Sequence, residues 1–300
     1  MTLKNVCCIE LSGSTASVAI AKEIGTFLWK MNDIPTYHPI PADDSVKKIC
    51  DAIKSSGYDF DAIGIASFGP LNVQLGRIGN TPKTNWKHFP LIESIRKQLN
   101  TNVPIVLETD VNAPAYSEYL ALNAKEPSST QATAYLTIGA GVGLGVFADG
   151  KPFHGIMHPE FGHIMIRPIE NDNFEGTCPF HKNCIEGLIS SKALAKRLNI
   201  NQEHLGEVPN EHRIWDLFYC YVAATAAAAA ISYAVDTVVV GGSLITGDGK
   251  GFLFDKANAY CTDMVNKYIQ APRILPPAYS KDSGLVGAAA IAFHSDMFVK

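Results

Sequence analysis

Hydrophobic and polar positions along the chain alternate between short apolar runs and longer stretches with helical spacing. Residues 6–11, 62–67, 103–107, 134–138 and 238–241 are almost wholly apolar and lead into turns that begin with small or polar residues or, after 62–67, with Phe68-Gly69-Pro70. Such runs predict strands buried on both faces of a parallel sheet. Residues 16–21 and 144–148 resume the β pattern a few positions after the first and fourth runs. Each of these pairs therefore predicts a β-hairpin. Helical periodicity is expected over about 43–56, 89–99, 112–124, 187–198, 211–235, 251–269 and 284–296, with loops over 171–176 and 280–283. Strands alternating with helices mean an α/β architecture with largely parallel sheets. Residues 217–235 carry no charge and approach the length that crosses a bilayer. Alanine dominates that run, however, Thr225 and Ser232 interrupt it, and Asp216 and Asp236 flank it in place of lysine or arginine. It reads as a buried core helix, and no membrane role is expected.

The two hairpin turns are built from small residues. Ser12-Gly13-Ser14-Thr15 closes the first and Gly139-Ala140-Gly141-Val142-Gly143 the second, while the run at 238–241 ends in Gly241-Gly242-Ser243. A Walker loop or a dinucleotide fingerprint runs from strand straight into helix, so that the helix N-terminus meets phosphate. Neither GxxxxGK[ST] nor GxGxxG occurs, and Gly139, Gly141, Gly143 and Gly145 alternate by two. One such turn alone would express only turn propensity. Two at equivalent places, with the Ser14, Thr15 and Thr137 hydroxyls beside exposed backbone N–H groups, suggest a duplicated β/α domain gripping a phosphate chain. Glu10 is a hard oxygen donor that could hold a hydrated magnesium ion through water. A glycine turn at the end of a parallel strand, as at Gly241 and Gly242, commonly contacts a nucleotide.

Two further strand ends carry candidate chemistry, Ser67-Phe68-Gly69-Pro70 and Glu108-Thr109-Asp110-Val111-Asn112. Open α/β sheets place their ligands at such carboxyl ends. Local sequence admits two readings of Asp110. It can cap the following helix, or it can act as a general base on a substrate hydroxyl with the Asn112 amide beside it.

The densest cluster of metal-ligating side chains is His163 with Cys178-Pro-Phe-His181-Lys-Asn-Cys184. Two thiols and two imidazoles complete one tetrahedral zinc shell, with no open position for an activated water. Such a zinc is structural, which argues against a zinc hydrolase. His158 is a rival to His163 as the fourth ligand, and the spacing favours His163. Glu160 and Glu186 flank the cluster, so a rigid metal knot would present two carboxylates to a polyhydroxylated ligand.

Composition narrows the field. The 300 residues, 47% hydrophobic and 18% charged, suffice for a full core divided into two subdomains. A net charge of −4 without a basic cluster gives no case for nucleic acid. The seven cysteines are odd in number, and the N-terminal apolar run is too short for a secretory core. Cys7, Cys8, Cys50, Cys220 and Cys261 are expected to be reduced, and the chain to be cytoplasmic.

Taken together, these residues resemble the ROK family of sugar kinases, and within it the zinc-containing bacterial-type fructokinases. The resemblance lies in Glu10-Leu-Ser-Gly13-Ser14-Thr15, Ala66-Ser67-Phe68-Gly69-Pro70, Thr81-Pro-Lys83 followed by Trp86, and Thr109-Asp110-Val-Asn112-Ala113. It continues in the glycine turn after Thr137, in His158-Pro-Glu160-Phe-Gly-His163, and in Cys178-Pro-Phe-His181-Lys-Asn-Cys184-Ile-Glu186. It implies two actin-like (ribonuclease H-like) ATPase domains with a cleft between them. The smaller would comprise 1–115 completed by the C-terminal helix 284–300, and the larger 116–283. It implies Asp110 as catalytic base, and sugar contacts from Gly69, Thr81, Asn112, Glu160, His163 and Glu186. ATP would lie against Gly13, Ser14, Thr15, Thr137, Gly139, Gly141, Gly241 and Gly242, with Mg²⁺. Structural Zn²⁺ would sit on His163, Cys178, His181 and Cys184. The implied activity is phosphorylation of fructose to fructose 6-phosphate by ATP, in a homodimer. A broader hexose kinase acting on mannose or glucose, and a sugar-binding protein with degenerate kinase activity, are the alternatives. The family's sugar-responsive repressors carry a DNA-binding extension before the first phosphate turn, for which a turn motif beginning at Glu10 is expected to leave no room. The chain departs from the family in its first turn, where Gly-Gly-Thr-Lys becomes Ser12-Gly13-Ser14-Thr15. One glycine and a positive charge are lost there, which puts the phosphate donor in question.

Overall fold

The computed structural model describes residues 4–245 and 252–298. In chain order its elements begin with β1 (Val6–Leu11), β2 (Thr15–Glu23), β3 (Thr26–Pro35), α1 (Ala42–Ser55), β4 (Ala62–Ser67), β5 (Leu71–Asn72), β6 (Arg77–Ile78), α2 (Leu91–Leu99), β7 (Ile105–Thr109) and α3 (Asn112–Lys125). There follow β8 (Ala132–Ile138), β9 (Val142–Ala148), β10 (Lys151–Pro152), α4 (Ile185–Ile189), α5 (Ser191–Leu198), α6 (Arg213–Tyr233), β11 (Thr237–Gly241), α7 (Phe252–Val265), β12 (Arg273–Leu275), α8 (Ser283–Phe293) and α9 (Ser295–Phe298). The chain divides into two compact units. The first comprises 1–117, 154–158 and 282–300, and the second 118–153 and 159–281.

The first unit is built on a sheet of order β3-β2-β1-β4-β7. β1 runs antiparallel to β2 and parallel to β4, and β4 runs parallel to β7. β1, β4 and β7 read as solid apolar runs because both their faces are covered. α1 buries Val46, Ile49, Cys50 and Ile53, one stripe at helical spacing, and carries Asp43 and Asp44 in its first turn. α8 is apolar all round, with residues 283–292 buried, and lies against β1, β2 and β4.

The second unit repeats the plan. Its sheet has the order β10-β9-β8-β11-β12, with β8 antiparallel to β9 and parallel to β11, and β11 parallel to β12. α6 fills the middle of that core with Trp215, Phe218, Tyr221 and a run of alanines. It is the described helix long and apolar enough to cross a membrane, and most of it is buried in this core, against α7 among other elements.

The expected hairpins and central strands are present, while several other elements differ from expectation. Residues 187–198 form two helices, because Ser190 accepts a hydrogen bond from the Ala193 N–H and caps α5. The final helix breaks at His294 into α8 and α9. Residues 280–282 form a 3₁₀ turn and Ser283 opens α8, where a loop was expected. The helix expected over 251–269 runs from Phe252 to Val265, and residue 251 lies outside the described residues. β3, β5, β6, β10 and β12 were not anticipated.

Candidate active site and metal centre

In the first unit the candidate residues collect at the carboxyl ends of β1, β4 and β7. The turn after β1 is closed by the Ser12 N–H donating to the Thr15 carbonyl at 3.1 Å. Ser12 and Thr15 are half-buried, while Gly13 and Ser14 are exposed. At the end of β7 the Asp110 N–H donates to the Ser67 carbonyl at 2.9 Å, which ties the Asp110 backbone to the end of β4. The Thr109 hydroxyl accepts from the Asn112 N–H at 2.9 Å and so caps α3. Asp110 is half-buried, and its charge acts on both Glu10 and Lys83. Burial, reinforced by Asp110 and Asp282, pushes the Glu10 carboxyl up to about 7, against the pull of Lys30. Lys30 itself pairs with Asp282 at 2.8 Å, with both side chains about a quarter exposed.

Glu108 organises the segment around Asp110. Its Oε1 accepts from the Thr109 N–H at 2.7 Å and from the Asn112 side-chain amide at 3.2 Å, and its Oε2 lies 2.7 Å from His154 Nε2. That hydrogen bond raises the His154 pKa above the usual imidazole range. Asn112 is fully buried in this arrangement. His158, on the same short segment, accepts from the Leu71 N–H at 3.2 Å through Nε2 and stands over Gly69. Thr81 is buried nearby in sequence, between the β5–β6 hairpin and the 3₁₀ turn Thr84–Trp86. The sequence gives Glu108 and His154 no role, and it offers His158 only as a rival metal ligand and as part of the His158–His163 motif. Their contacts join residues tens of positions apart, and local spacing carries no trace of them.

In the second unit the other candidate residues assemble where β8 and β11 end and β9 begins. Thr137 pairs with Gly241 across the parallel β8–β11 register. The Gly139 N–H donates to the Gly141 carbonyl at 2.9 Å, which closes the second turn. A Cβ on Gly139 would stand 2.9 Å from Ser243 Oγ, so the second and third small-residue turns lie side by side. Gly242 takes a left-handed φ of +94°, and the Leu244 N–H donates back to the Ile138 carbonyl at 3.2 Å. Glu186 closes the same corner, its Oε2 accepting from the Val142 N–H at 3.1 Å.

The metal cluster is adjacent along this chain path. One ligand atom from each of His163, Cys178, His181 and Cys184 lies within 4.8 Å of the others. His163 Nδ1 is 3.7 Å from Cys178 Sγ and 3.6 Å from Cys184 Sγ, and His181 Nδ1 is 3.9 Å from Cys178 Sγ. The N···S edge of a tetrahedron with zinc's usual bond lengths is about 3.6 Å, so the four side chains fit that ion. His163 offers Nδ1 to the cluster, which leaves Nε2 to point elsewhere. His163 ends the 3₁₀ turn Phe161–His163, and that turn needs Gly162, since a Cβ there would come within 1.9 Å of the Val142 carbonyl oxygen. Val142 therefore touches both the metal loop and Glu186. Glu160 is exposed at the start of the turn, with its carbonyl accepting from the His163 N–H at 3.0 Å.

Comparison with known proteins gives this arrangement a family. A model of the ROK family matches residues 6–295. A fructokinase of Streptococcus mutans serotype c is 30% identical over 297 residues, covering 95% of this chain and 96% of the relative. A fructokinase of Lactococcus lactis subsp. cremoris is 33% identical over 271 residues, covering 88% of this chain and 86% of the relative. Among solved structures, a ROK family glucokinase of Streptomyces griseus, in complex with glucose and AMPPNP, superposes with a TM-score of 0.77 at 22% identity. That superposition covers 97% of this chain and 99% of the other and supports two actin-like domains. With the family model spanning nearly its whole length, the chain belongs to the ROK family.

Proposed function

We propose that this protein is an ATP-dependent sugar kinase that phosphorylates fructose at O6. The observation that carries the reading is the arrangement at the strand ends of the first unit. A half-buried carboxylate, Asp110, is anchored to the end of β4 and acts electrostatically on groups beside the Ser12–Thr15 turn. Asp110 would take the proton of the C6 hydroxyl as that oxygen attacks the γ-phosphorus in line, and ADP would leave with the electron pair of the broken P–O bond. The fructose preference is supported by the fructokinase relatives at about a third identity or slightly less.

Sugar contacts are assigned to Gly69, Thr81, Asn112, Glu160, His163 and Glu186. Of these, Asn112 would act through the amide geometry that Glu108 holds, and His163 through the ring nitrogen that the metal cluster leaves open. The polyphosphate is assigned to the N–H groups and hydroxyls of residues 13–15, 137, 139, 141, 241 and 242. Magnesium bound with ATP would neutralise charge on the phosphates, and Glu10, half-buried at the end of β1, is the carboxyl suited to hold its water shell. Zinc on His163, Cys178, His181 and Cys184 would hold structure. Positioning of this kind can supply about 7–11 kcal/mol of the barrier reduction.

The deciding experiment is sugar-dependent ADP release from MgATP, run across fructose, mannose, glucose and N-acetylated hexosamines. ADP with fructose, and at most weakly with mannose, is the expected result. Equal rates with glucose would replace the fructose assignment with a broad hexose kinase. Absence of ADP with every sugar from folded, metal-loaded protein would overturn the kinase reading.

A further inference from the structure

The first phosphate turn carries no cation of its own. Ser12-Gly13-Ser14-Thr15 offers hydroxyls and backbone groups only, although phosphoryl transfer concentrates negative charge at such a turn. The structure brings a cation there from a distant loop. Lys83 Nζ donates to the Ser12 carbonyl at 3.0 Å and stands 3.3 Å from the centroid of the Phe68 ring. Phe68 packs edge-on against Trp86 at 5.9 Å between centroids. The fully buried Trp86 in turn donates its indole N–H to the Thr36 carbonyl at 3.1 Å. The lysine is thus aimed by a packed aromatic floor and does not wander on a surface stem.

An ammonium has three donors, and the Ser12 carbonyl takes one. Half-buried beside a ring and a carbonyl, such a strongly hydrated group sits in a poor solvent unless an anion joins it. Asp110 is the charged group that acts on it. Asp110 also acts on Glu10 at the end of β1, where Lys30 opposes it. The ammonium is therefore held at the turn and within electrostatic reach of the proposed base, where a transferring phosphoryl group would have to pass.

We propose that Lys83 is a catalytic residue of this kinase, its ammonium engaging the transferring phosphoryl group at the Ser12–Thr15 turn and supplying the positive charge which that turn lacks. The proposal rests on the sugar-kinase reading above. It has a consequence in pH. Burial pushes Lys83 down to about 8, with Asp110 opposing. The productive ammonium form is present below that value and is lost as pH rises through it.

The test compares the full-length wild type with Lys83→Met and Lys83→Arg in the sugar-dependent ADP assay, from neutral into alkaline pH. Sugar binding and bound zinc serve as controls for folding. Methionine keeps the stem over Phe68 and removes the charge, so kcat/KM for MgATP should fall by about 10²-fold or more while sugar binding changes less than about threefold. The wild-type profile of kcat/KM for MgATP should fall above about 8. In Lys83→Arg, which stays charged, that limb should vanish or move up by more than about one pH unit. MgATP kinetics within about threefold of wild type in Lys83→Met would overturn the proposal. So would an alkaline limb that Lys83→Arg leaves in place, a result that remains readable should the methionine variant fail to fold. A wild type silent with every sugar defeats the kinase reading itself, whereas an active wild type with an indifferent Lys83→Met defeats the lysine alone.

Discussion

At the scale of the residue, Asp110 and Glu108 are two neighbouring carboxylates with opposite fates. Glu108 is almost fully buried and saturated, with two N–H donors on one oxygen and an imidazole on the other. It is a fixture that orients the Thr109 peptide and the Asn112 amide. Asp110 is partly open and backs onto Lys83 and Glu10, the setting a base needs if substrate is to reach it. Replacing Asp110 by Asn keeps the shape and removes the proton acceptor. Turnover should fall by about 10²-fold or more while fructose binding stays within a few-fold of wild type. Steady-state kinetics beside calorimetric sugar titration check this, and near-normal turnover would remove Asp110 from the role.

At the scale of the element, what could be read from sequence was what is written locally. The hairpins at 12–15 and 139–143 announce themselves through small residues between apolar runs. The metal cluster shows through short spacing that neither helix nor strand would require. β3 escaped because Lys30, Asn32 and Asp33 break its pattern on an edge strand with bulges, and β12 because three residues between prolines leave no period to detect. The contacts of Lys83, His154 and His158 escaped because their partners are set by the sheet topology and not by spacing. The metal loop is also the element whose order should matter most. It holds His163 on one side and reaches Glu186 and Val142 on the other. Zinc should be present at about one equivalent, and chelation should lower Tm by about 5 °C or more and raise the KM for sugar well above any change for ATP. Metal analysis with thermal melts and kinetics before and after chelation decides this; metal-free protein with unchanged Tm and KM would assign the cluster another role.

The same loop is pinned from behind by a buried ion pair. Arg197 of α5 meets Asp172 through two bonds of 2.7 and 2.8 Å, Tyr221 of α6 donates to Asp172 at 2.6 Å, and the guanidinium lies 4.0 Å from the Phe174 centroid. Burial would push the Asp172 carboxyl up, but the Arg197 and Tyr221 hydrogen bonds hold it below the usual carboxylate range. Its folded pKa being depressed, the stability it contributes is present above the unfolded value of about 3.9 and is lost as pH falls below it. Removing the arginine strands a charge that is 5% exposed, so Arg197→Met should cost about 3–5 kcal/mol at neutral pH. The cost should shrink in acid, where Asp172 can take up a proton, and urea melts at neutral and acid pH measure both values. A loss under about 1 kcal/mol at neutral pH would demote the pair to a surface bridge.

At the scale of the whole molecule, two sheets of equivalent strand order repeat one plan, each bringing its turns to the same end of its parallel strands. The two repeats are not separate lengths of chain. The first unit takes residues 154–158 from the middle of the second and 282–300 from beyond it, and both loans are anchored. His154 and His158 hold Glu108 and the Leu71 N–H, Asp282 holds Lys30, and α8 covers β1 and β4. No single cut therefore divides the protein into two folding pieces. A fragment ending at Ser117 would expose the apolar backs of its central strands and strand Glu108 without its imidazole. Protease nicking or gene truncation should yield aggregates, and a soluble half is reached only by carrying 282–298 along on a linker. The two repeats of the plan are thus laced through one another along the chain, so that neither can be gained or lost alone.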